Sequence, residues 1–274
     1  MSSGITTPPR PTSILLPSSP KSSTLSYVAF EGNEITDDLY EACANLFSTQ
    51  YGIWGERPAG VPGPRQGARV KMSPKHMKAS LVSDPDNTVL VVCFRRLPED
   101  PPGRGFVIGH AFGTVWEYDG GKVGWVTQLV VDTAARKRYI ATSLLQIMKH
   151  HSMFKGINAI GLVSSHPAAC AAIAKLIRQN IHTVDLDFCR QYASAIISSS
   201  PVPYVREMQL RGLLFQENHD QGACSSVFTN FFVDHTEPLA ALHEYRLRKD
   251  QWNLGELLDG HEFLIILPCG DFPS

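Results

Sequence analysis

The hydrophobic positions divide the chain into stretches of two different periods. A short strand is predicted at Tyr27 to Phe30. From about Thr36 to Gln50, Leu39, Cys43, Leu46 and Phe47 recur at helical spacing behind a capping Thr36 or Asp37. Ser73 followed by Pro74 predicts a second helix, running to about Val82. Three strands follow, Thr88 to Leu97, Phe106 to Tyr118 and Val123 to Val131, and the connection Asp119-Gly120-Gly121-Lys122 makes the last two an antiparallel hairpin. The period then changes from two to near 3.6. Ile140, Leu144, Ile147 and Met148 stack on one face of a helix that ends near Phe154, with Gly156 as its stop signal. A strand from Ala159 to Ser164 leads into an alanine-rich helix from Ala168 to Gln179, and this strand-helix-strand-helix succession implies parallel pairing across the first of the two helices. Beyond it the pattern predicts a helix around Phe188 to Ile197, a strand from Ser225 to Val233, a helix from Pro238 to about Arg248 and a last strand from Glu262 to Leu267. Pro201 to Gln221 has no clear period, and no segment repeats.

With 274 residues, 43% of them hydrophobic and 19% charged, the chain can bury a real core. Its 25 basic and 26 acidic residues argue against a protein built mainly to grip nucleic acid or an anionic membrane. The apolar stretches Val89 to Phe94 and Phe263 to Leu267 are far short of the roughly 20 residues that a membrane span needs, and read as buried strands. Six cysteines without a C-x-x-C pair favour a reducing, cytoplasmic setting, each thiol a small buried hydrophobe. Residues 1–24 are mostly Ser, Thr and Pro and are expected to be a disordered tail ahead of a single domain at 25–274. The absence of acid before Glu31 is a feature of transit peptides, but the prolines oppose the helix such a peptide needs. The Gly/Pro-rich stretch Gly52 to Gly67, with Trp54, Arg57 and Arg65, is either a substrate entrance or a surface excursion anchored by one aromatic.

Several chemistries lack their local signatures. There is no G-x-S-x-G elbow, no P-loop and no G-x-G-x-x-G after a strand. His243-Glu244 is followed by Leu247 where a metalloprotease needs its second His, and His261-Glu262 has no partner at ligand spacing, so no metal site is expected. The informative segment runs from Trp125 to Leu145: an apolar strand, a short turn, and the helix start Arg136-Lys137-Arg138. Such a junction delivers unpaired N–H groups and a positive dipole end to one spot, which suits a pyrophosphate. The ordinary alternative is a solvated basic helix face.

The order of residues in this segment resembles the acetyl-CoA motif of the GNAT superfamily of N-acetyltransferases. That motif is Arg or Gln, two residues, Gly, one residue, then Gly or Ala; Arg136, Tyr139 and Ala141 occupy the three places, with Tyr139 departing from the usual Gly. Leu129, Val130 and Val131 before the turn, and Ile140, Leu144 and Leu145 after it, supply the hydrophobic frame. The family's element order is a strand, two helices, three antiparallel strands, the motif helix, a parallel strand, a helix and two closing strands. Tyr27 to Asn180 can be laid on that order, leaving about 181–223 as an insertion.

The resemblance implies an α/β fold with a mixed, mostly antiparallel sheet, helices on both faces, and a splay between the fourth and fifth strands that holds CoA. It implies acetyl transfer from acetyl-CoA, as cosubstrate, to a primary amine on a small molecule or peptide, by direct attack in a ternary complex. Carried over by position, the amides of Arg136, Lys137, Arg138, Tyr139, Ile140, Ala141 and Thr142 would hold the pyrophosphate. The backbone of Leu129, Val130 and Val131 would pair with the pantetheine arm, and an amide at Val130 or Val131 would polarise the thioester carbonyl. The family's strand carboxylate falls here on Thr127 and Gln128, and its helix tyrosine at or near Ile173. Candidate acid and base groups are therefore sought among Glu117, Asp119, His110, His166 and Asp234-His235, with His166 and His235 placed first because strand ends beside the cleft can reach a bound amine. Each has a plainer role as cap, turn or satisfied buried residue. An inactive CoA-binding scaffold with the same fold, and an unrelated metabolic enzyme, are the alternative readings.

Overall fold

The computed structural model describes residues 23–98, 105–215, 222–249 and 252–270. The tail expected at 1–24 lies outside the described residues except at its end, where Thr24 already belongs to the first strand. That strand, β1 (Thr24–Glu31), is followed by the helices α1 (Asp37–Gln50) and α2 (Pro74–Leu81), then by β2 (Thr88–Arg96), β3 (Phe106–Tyr118), β4 (Gly121–Val131), α3 (Ile140–His150), β5 (Ala159–Ser164) and α4 (Pro167–Leu176). The remainder carries α5 (Asp187–Ser198), α6 (Pro203–Arg206), β6 (Gln209–Arg211), β7 (Ser226–Phe228), α7 (Thr236–Lys249) and β8 (His261–Pro268).

All eight strands join one sheet in the order β1-β2-β3-β4-β5-β8-β7-β6. Among the described residues only β4 and β5 pair parallel, and every other neighbour pair is antiparallel. The α/β class and the mixed, mostly antiparallel sheet with helices on both faces are thus as expected. On one face, α3 and α4 cover Val89, Val91, Val126, Ile160, Leu162, Phe263 and Ile265. On the other, α1 and α2 cover Leu90, Val92, Phe112 and Val130, while the α5–α6 segment covers Trp125, Val227, Leu264 and Ile266. Strands buried on both sides read as unbroken apolar runs, which is why Val89–Cys93 and Phe263–Leu267 show no alternation. The stretch expected as an insertion is therefore the lid of half a sheet face.

The local signals act as written in the sequence. Thr36 Oγ1 accepts from Leu39 N (3.4 Å) and Ser73 Oγ from His76 N (3.1 Å), capping α1 and α2. The helix expected over Ala168 to Gln179 ends at Leu176, and two other predicted elements fall further short of their pattern. The helix expected to reach Phe154 stops at His150, where His151 turns extended and its Nδ1 accepts from Met153 N, starting a separate 3-10 turn. The strand expected over Ser225 to Val233 pairs only at Ser226–Phe228. Asn230 takes a left-handed φ of 56°, and the chain leaves the sheet to bond the 52–69 loop through Gly55 N to Phe232 O and Asp234 N to Ile53 O (both 2.9 Å).

Candidate functional site

β4 and β5 pair over four residues each, Val123–Val126 against Ala159–Leu162, and then part. β4 continues to Val131 with β3 alone beside it. Just past the parting lies a β-bulge: Phe112 faces Gln128 and Gly113 faces Val126, so Thr127 is the extra residue. Asp132 N donates to Ile108 O (2.9 Å), and antiparallel ladders alternate, so Val130 is bonded to His110 while Leu129 and Val131 turn their N–H and C=O groups away from β3, into the splay. Of the two amides implied for polarising a carbonyl, the one that faces the splay is Val131.

The helix start beside this edge has the geometry its spacing suggested. Lys137 and Tyr139 both stand at φ 62°, and Tyr139 is the N-cap of α3. The position where the resembling family carries Gly is thus left-handed here too, with a Tyr bearing the strain, about 1–2 kcal/mol for a residue with a Cβ. Ser143 N is the first amide to donate back into the helix, to Tyr139 O (2.9 Å), which leaves Ile140, Ala141 and Thr142 without intrahelical partners. Lys137, Arg138 and Tyr139 are exposed around that corner, and Lys175 Nζ lies 5.2 Å from the Tyr139 ring centre. Gly109 lets the helix sit this low: a Cβ there would come 2.9 Å from Ile140 Cγ2. Open amides, two cations and a free strand edge fit a diphosphate with an extended, amide-bearing arm.

Arg136 closes one side. Its Nε donates to Val131 O and its Nη2 to Gln50 O (both 3.4 Å), while Nη1 meets Glu237 Oε1 in the first turn of α7. The same Glu237 oxygen is 3.8 Å from His166 Nε2. The Nδ1 of His166 accepts from Ala168 N (3.2 Å), capping α4, and burial lowers its pKa, partly opposed by Glu237. Arg136, Glu237 and His166 thus run across the mouth of the splay from the β4 side to the α4 side.

On the α1–α6 face of the splay lie groups the sequence reading passed over. Tyr204 donates from its hydroxyl to Thr127 O (2.7 Å), on the bulge itself, and Thr127 Oγ1 is buried with no partner among the described residues. Glu262, at the start of β8, is 8% exposed, and burial pushes its carboxyl up to about 7 against the lowering effect of Thr229 and of the backbone at Ser165. Its charge raises the pKa of Tyr51, Tyr204 and Cys170, added in each case to a larger effect of burial. The signal for Glu262 was present in the sequence as a single acid heading five apolar residues; Tyr204, in a segment without period, carried none.

The remaining candidates scatter. His110 is fully buried beside the bulge, its Nε2 2.7 Å from Gln128 Oε1, and burial lowers its pKa to about 4. His235 is buried before α7 with neither ring nitrogen bonded among the described residues and Asp259 at 3.8 Å. Glu117 is exposed and pairs with Lys122 at the β3–β4 hairpin, with Asp119 in the turn, roughly 20 Å along the strand from Leu129. The structure does not bring Glu117 to the splay. Trp54 forms an aromatic group with Phe231 and Tyr51, and Arg57 lies 4.7 Å over its ring. Among the described residues no cluster of His, Cys, Asp or Glu is placed to hold a metal ion, and no helix is long and apolar enough to cross a membrane.

No family model and no curated protein matches the chain. Among solved structures, the NatC complex bound to Gag peptide and CoA aligns over 90% of this chain and 99% of that one, at 12% identity and a TM-score of 0.39. A tandem GNAT protein from the clavulanic acid biosynthesis pathway aligns over 56% and 43%, at 21% identity and 0.36. Glucosamine-6-phosphate N-acetyltransferase from Arabidopsis thaliana aligns over 51% and 81%, at 15% identity and 0.32. Likenesses this slight leave the fold to be judged on its own topology. The strand order, the parallel pair that parts after four residues and the motif helix that starts beside the gap follow the arrangement that the GNAT resemblance implies.

Proposed function

We propose that this protein transfers an acetyl group from acetyl-CoA to a primary amine by direct attack in a ternary complex. The observation that carries the reading is the outward-facing edge of Leu129 and Val131 next to the amides of Ile140, Ala141 and Thr142, which have no intrahelical partner. In this reading the α3 amides, with Lys137 and Arg138, hold the diphosphate; the β4 edge takes the pantetheine arm as an added strand; and the Val131 N–H polarises the thioester carbonyl. One such preorganised donor is worth about 3–4 kcal/mol in other acyl transfers. Attack by the amine itself needs no nucleophilic Ser or Cys. Arg136 and His166 border the donor site through Glu237, with His166 a positioning residue at the α4 cap; His235 and Glu117 remain outside it. The acceptor, a small molecule or a peptide amine, enters on the opposite face between α1 and α6. Six free thiols favour a cytoplasmic setting.

The second reading, a CoA-binding protein without catalysis, rests on Gln128 being locked to His110 and on Ile173 being fully buried, so that neither position at which the family's acid and base would fall titrates. Calorimetry with acetyl-CoA, followed by thiol release in the presence of a panel of primary amines, tests both. Binding with sustained release supports transfer; binding without release supports the scaffold; no binding at high micromolar concentration defeats both.

A further inference from the structure

Glu262 lies one residue before the Phe263–Ser164 pair, opposite Ser165, where β5 passes into α4. Its side chain falls on the sheet face of Leu264 and Ile266, the face that α5 and α6 cover. Among the described residues no basic side chain shifts its pKa; the Thr229 hydroxyl and the backbone at Ser165 do, and the Tyr51 and Tyr204 phenols and the Cys170 thiol are near enough to feel its charge. A lone carboxyl at that depth costs folding free energy, which an apolar residue heading the same strand would not. The position is also specific. Tyr204 stands between Glu262 and the β4 bulge, bonded to Thr127 O, two residues before the open edge that begins at Leu129. Glu262 and that edge therefore flank the two parting strands.

We propose that Glu262 accepts the proton from the acceptor's ammonium in the acetyl-transfer reaction, an inference that rests on the function proposed above. In this assignment the amine reaches the carboxylate on the sheet face where the Tyr51 and Tyr204 phenols feel its charge. The ammonium loses one proton to Glu262, and the freed nitrogen lone pair forms the N–C bond at the acetyl carbonyl. As the tetrahedral centre collapses, the C–S bond breaks with its electrons on sulfur. The second nitrogen proton neutralises the thiolate, and Glu262 returns its own to solvent. Burial without a cation partner holds the carboxyl at about 7, close to the pH at which a base of this kind works best.

The test compares wild type, Glu262→Gln, Glu262→Asp and Thr229→Val for acetyl-CoA binding by calorimetry and for kcat/KM against pH, with polyamines, amino sugars and short peptides with free N-termini as acceptors. Expected for Glu262→Gln is a loss of transfer at neutral pH on the order of 10²-fold or more, with donor binding within about twofold of wild type. The deficit shrinks at high pH as free amine accumulates, and Glu262→Asp recovers part of it. Thr229→Val, which removes a hydroxyl that lowers the carboxyl's pKa, moves the acidic limb upward. Wild-type transfer by Glu262→Gln, or a loss equal at every pH, overturns the assignment. If Glu262→Gln does not fold, the limb of Thr229→Val decides: moved, it supports the role; unmoved, it overturns it. Failure of the wild type to bind acetyl-CoA would instead fell the acetyl-transfer reading itself, and this role with it.

Discussion

Arg136 Nη1 bonds Glu237 Oε1, tying the loop after β4 to the first turn of α7 at the corner where the amides of α3 open. Both side chains are partly exposed, 31% and 61%, so this pair adds at most about 1 kcal/mol to stability. Its consequence is for ligands: a carboxylate already sits on the guanidinium nearest the anion corner.

Glu237→Ala is expected to leave the melting temperature within a few degrees of wild type and to tighten acetyl-CoA binding severalfold, because Arg136 and the helix dipole then face the diphosphate without a competitor. Arg136→Ala should weaken binding by about tenfold or more, the size of a charge-assisted hydrogen bond. Calorimetry on both variants reads this directly; weaker binding by Glu237→Ala would show that the carboxylate supports the corner.

Tyr139→Gly removes the left-handed strain at the α3 cap, about 1–2 kcal/mol, and forfeits the exposed contact with Lys175, about 0.5–1 kcal/mol. The net expectation is a variant as stable as wild type with donor binding preserved. Tyr139→Glu, which adds negative charge beside the open amides, should bind acetyl-CoA more weakly while melting near the wild-type temperature. Thermal melts and titrations of the pair separate backbone from charge.

Gly109→Val places a side chain 2.9 Å from Ile140 Cγ2 and 3.3 Å from Leu144 Cδ1. Overpacking of this kind costs about 1–3 kcal/mol, and the strain falls on the first turns of α3. A lowered melting temperature accompanied by weaker acetyl-CoA binding is expected. A stability loss with unchanged binding would show that the helix start does not depend on this close approach.

His110, with its pKa lowered to about 4 by burial, stays neutral in the folded protein, whereas the unfolded chain takes up a proton near pH 6.5. Between those values the unfolded state binds more protons, so this residue's contribution is intact above about pH 6.5 and falls away toward pH 4, by about 3 kcal/mol in all. Glu262 works in the opposite sense, its raised pKa favouring the folded state at low pH and losing that effect as pH rises through about 7. Urea denaturation at several pH values is expected to show a flatter acid side for His110→Asn than for wild type. Equal slopes would place the lowered pKa elsewhere.

The strands Phe106–Tyr118 and Ala159–Ser164, the caps Thr36 and Ser73, and the helix start after Arg136 were legible in the sequence because each is encoded by residues within a turn or two of one another, through period, cap chemistry and turn chemistry. The left-handed backbone of Tyr139 was legible only as a departure, since a motif gives a position and not its φ. What tertiary structure alone decided was which edge stays open and what stands across from it. The bulge at Thr127 depends on β3 partners 13 and 16 residues away, Gly113–Val126 and Phe112–Gln128, and the parting of β4 from β5 on partners 36 residues away, Val123–Ala159 to Val126–Leu162. Glu262 becomes a carboxyl of raised pKa only because the folded chain buries it, and the ionisation of a buried group is set by its neighbours in space, which the order of residues along a chain does not specify.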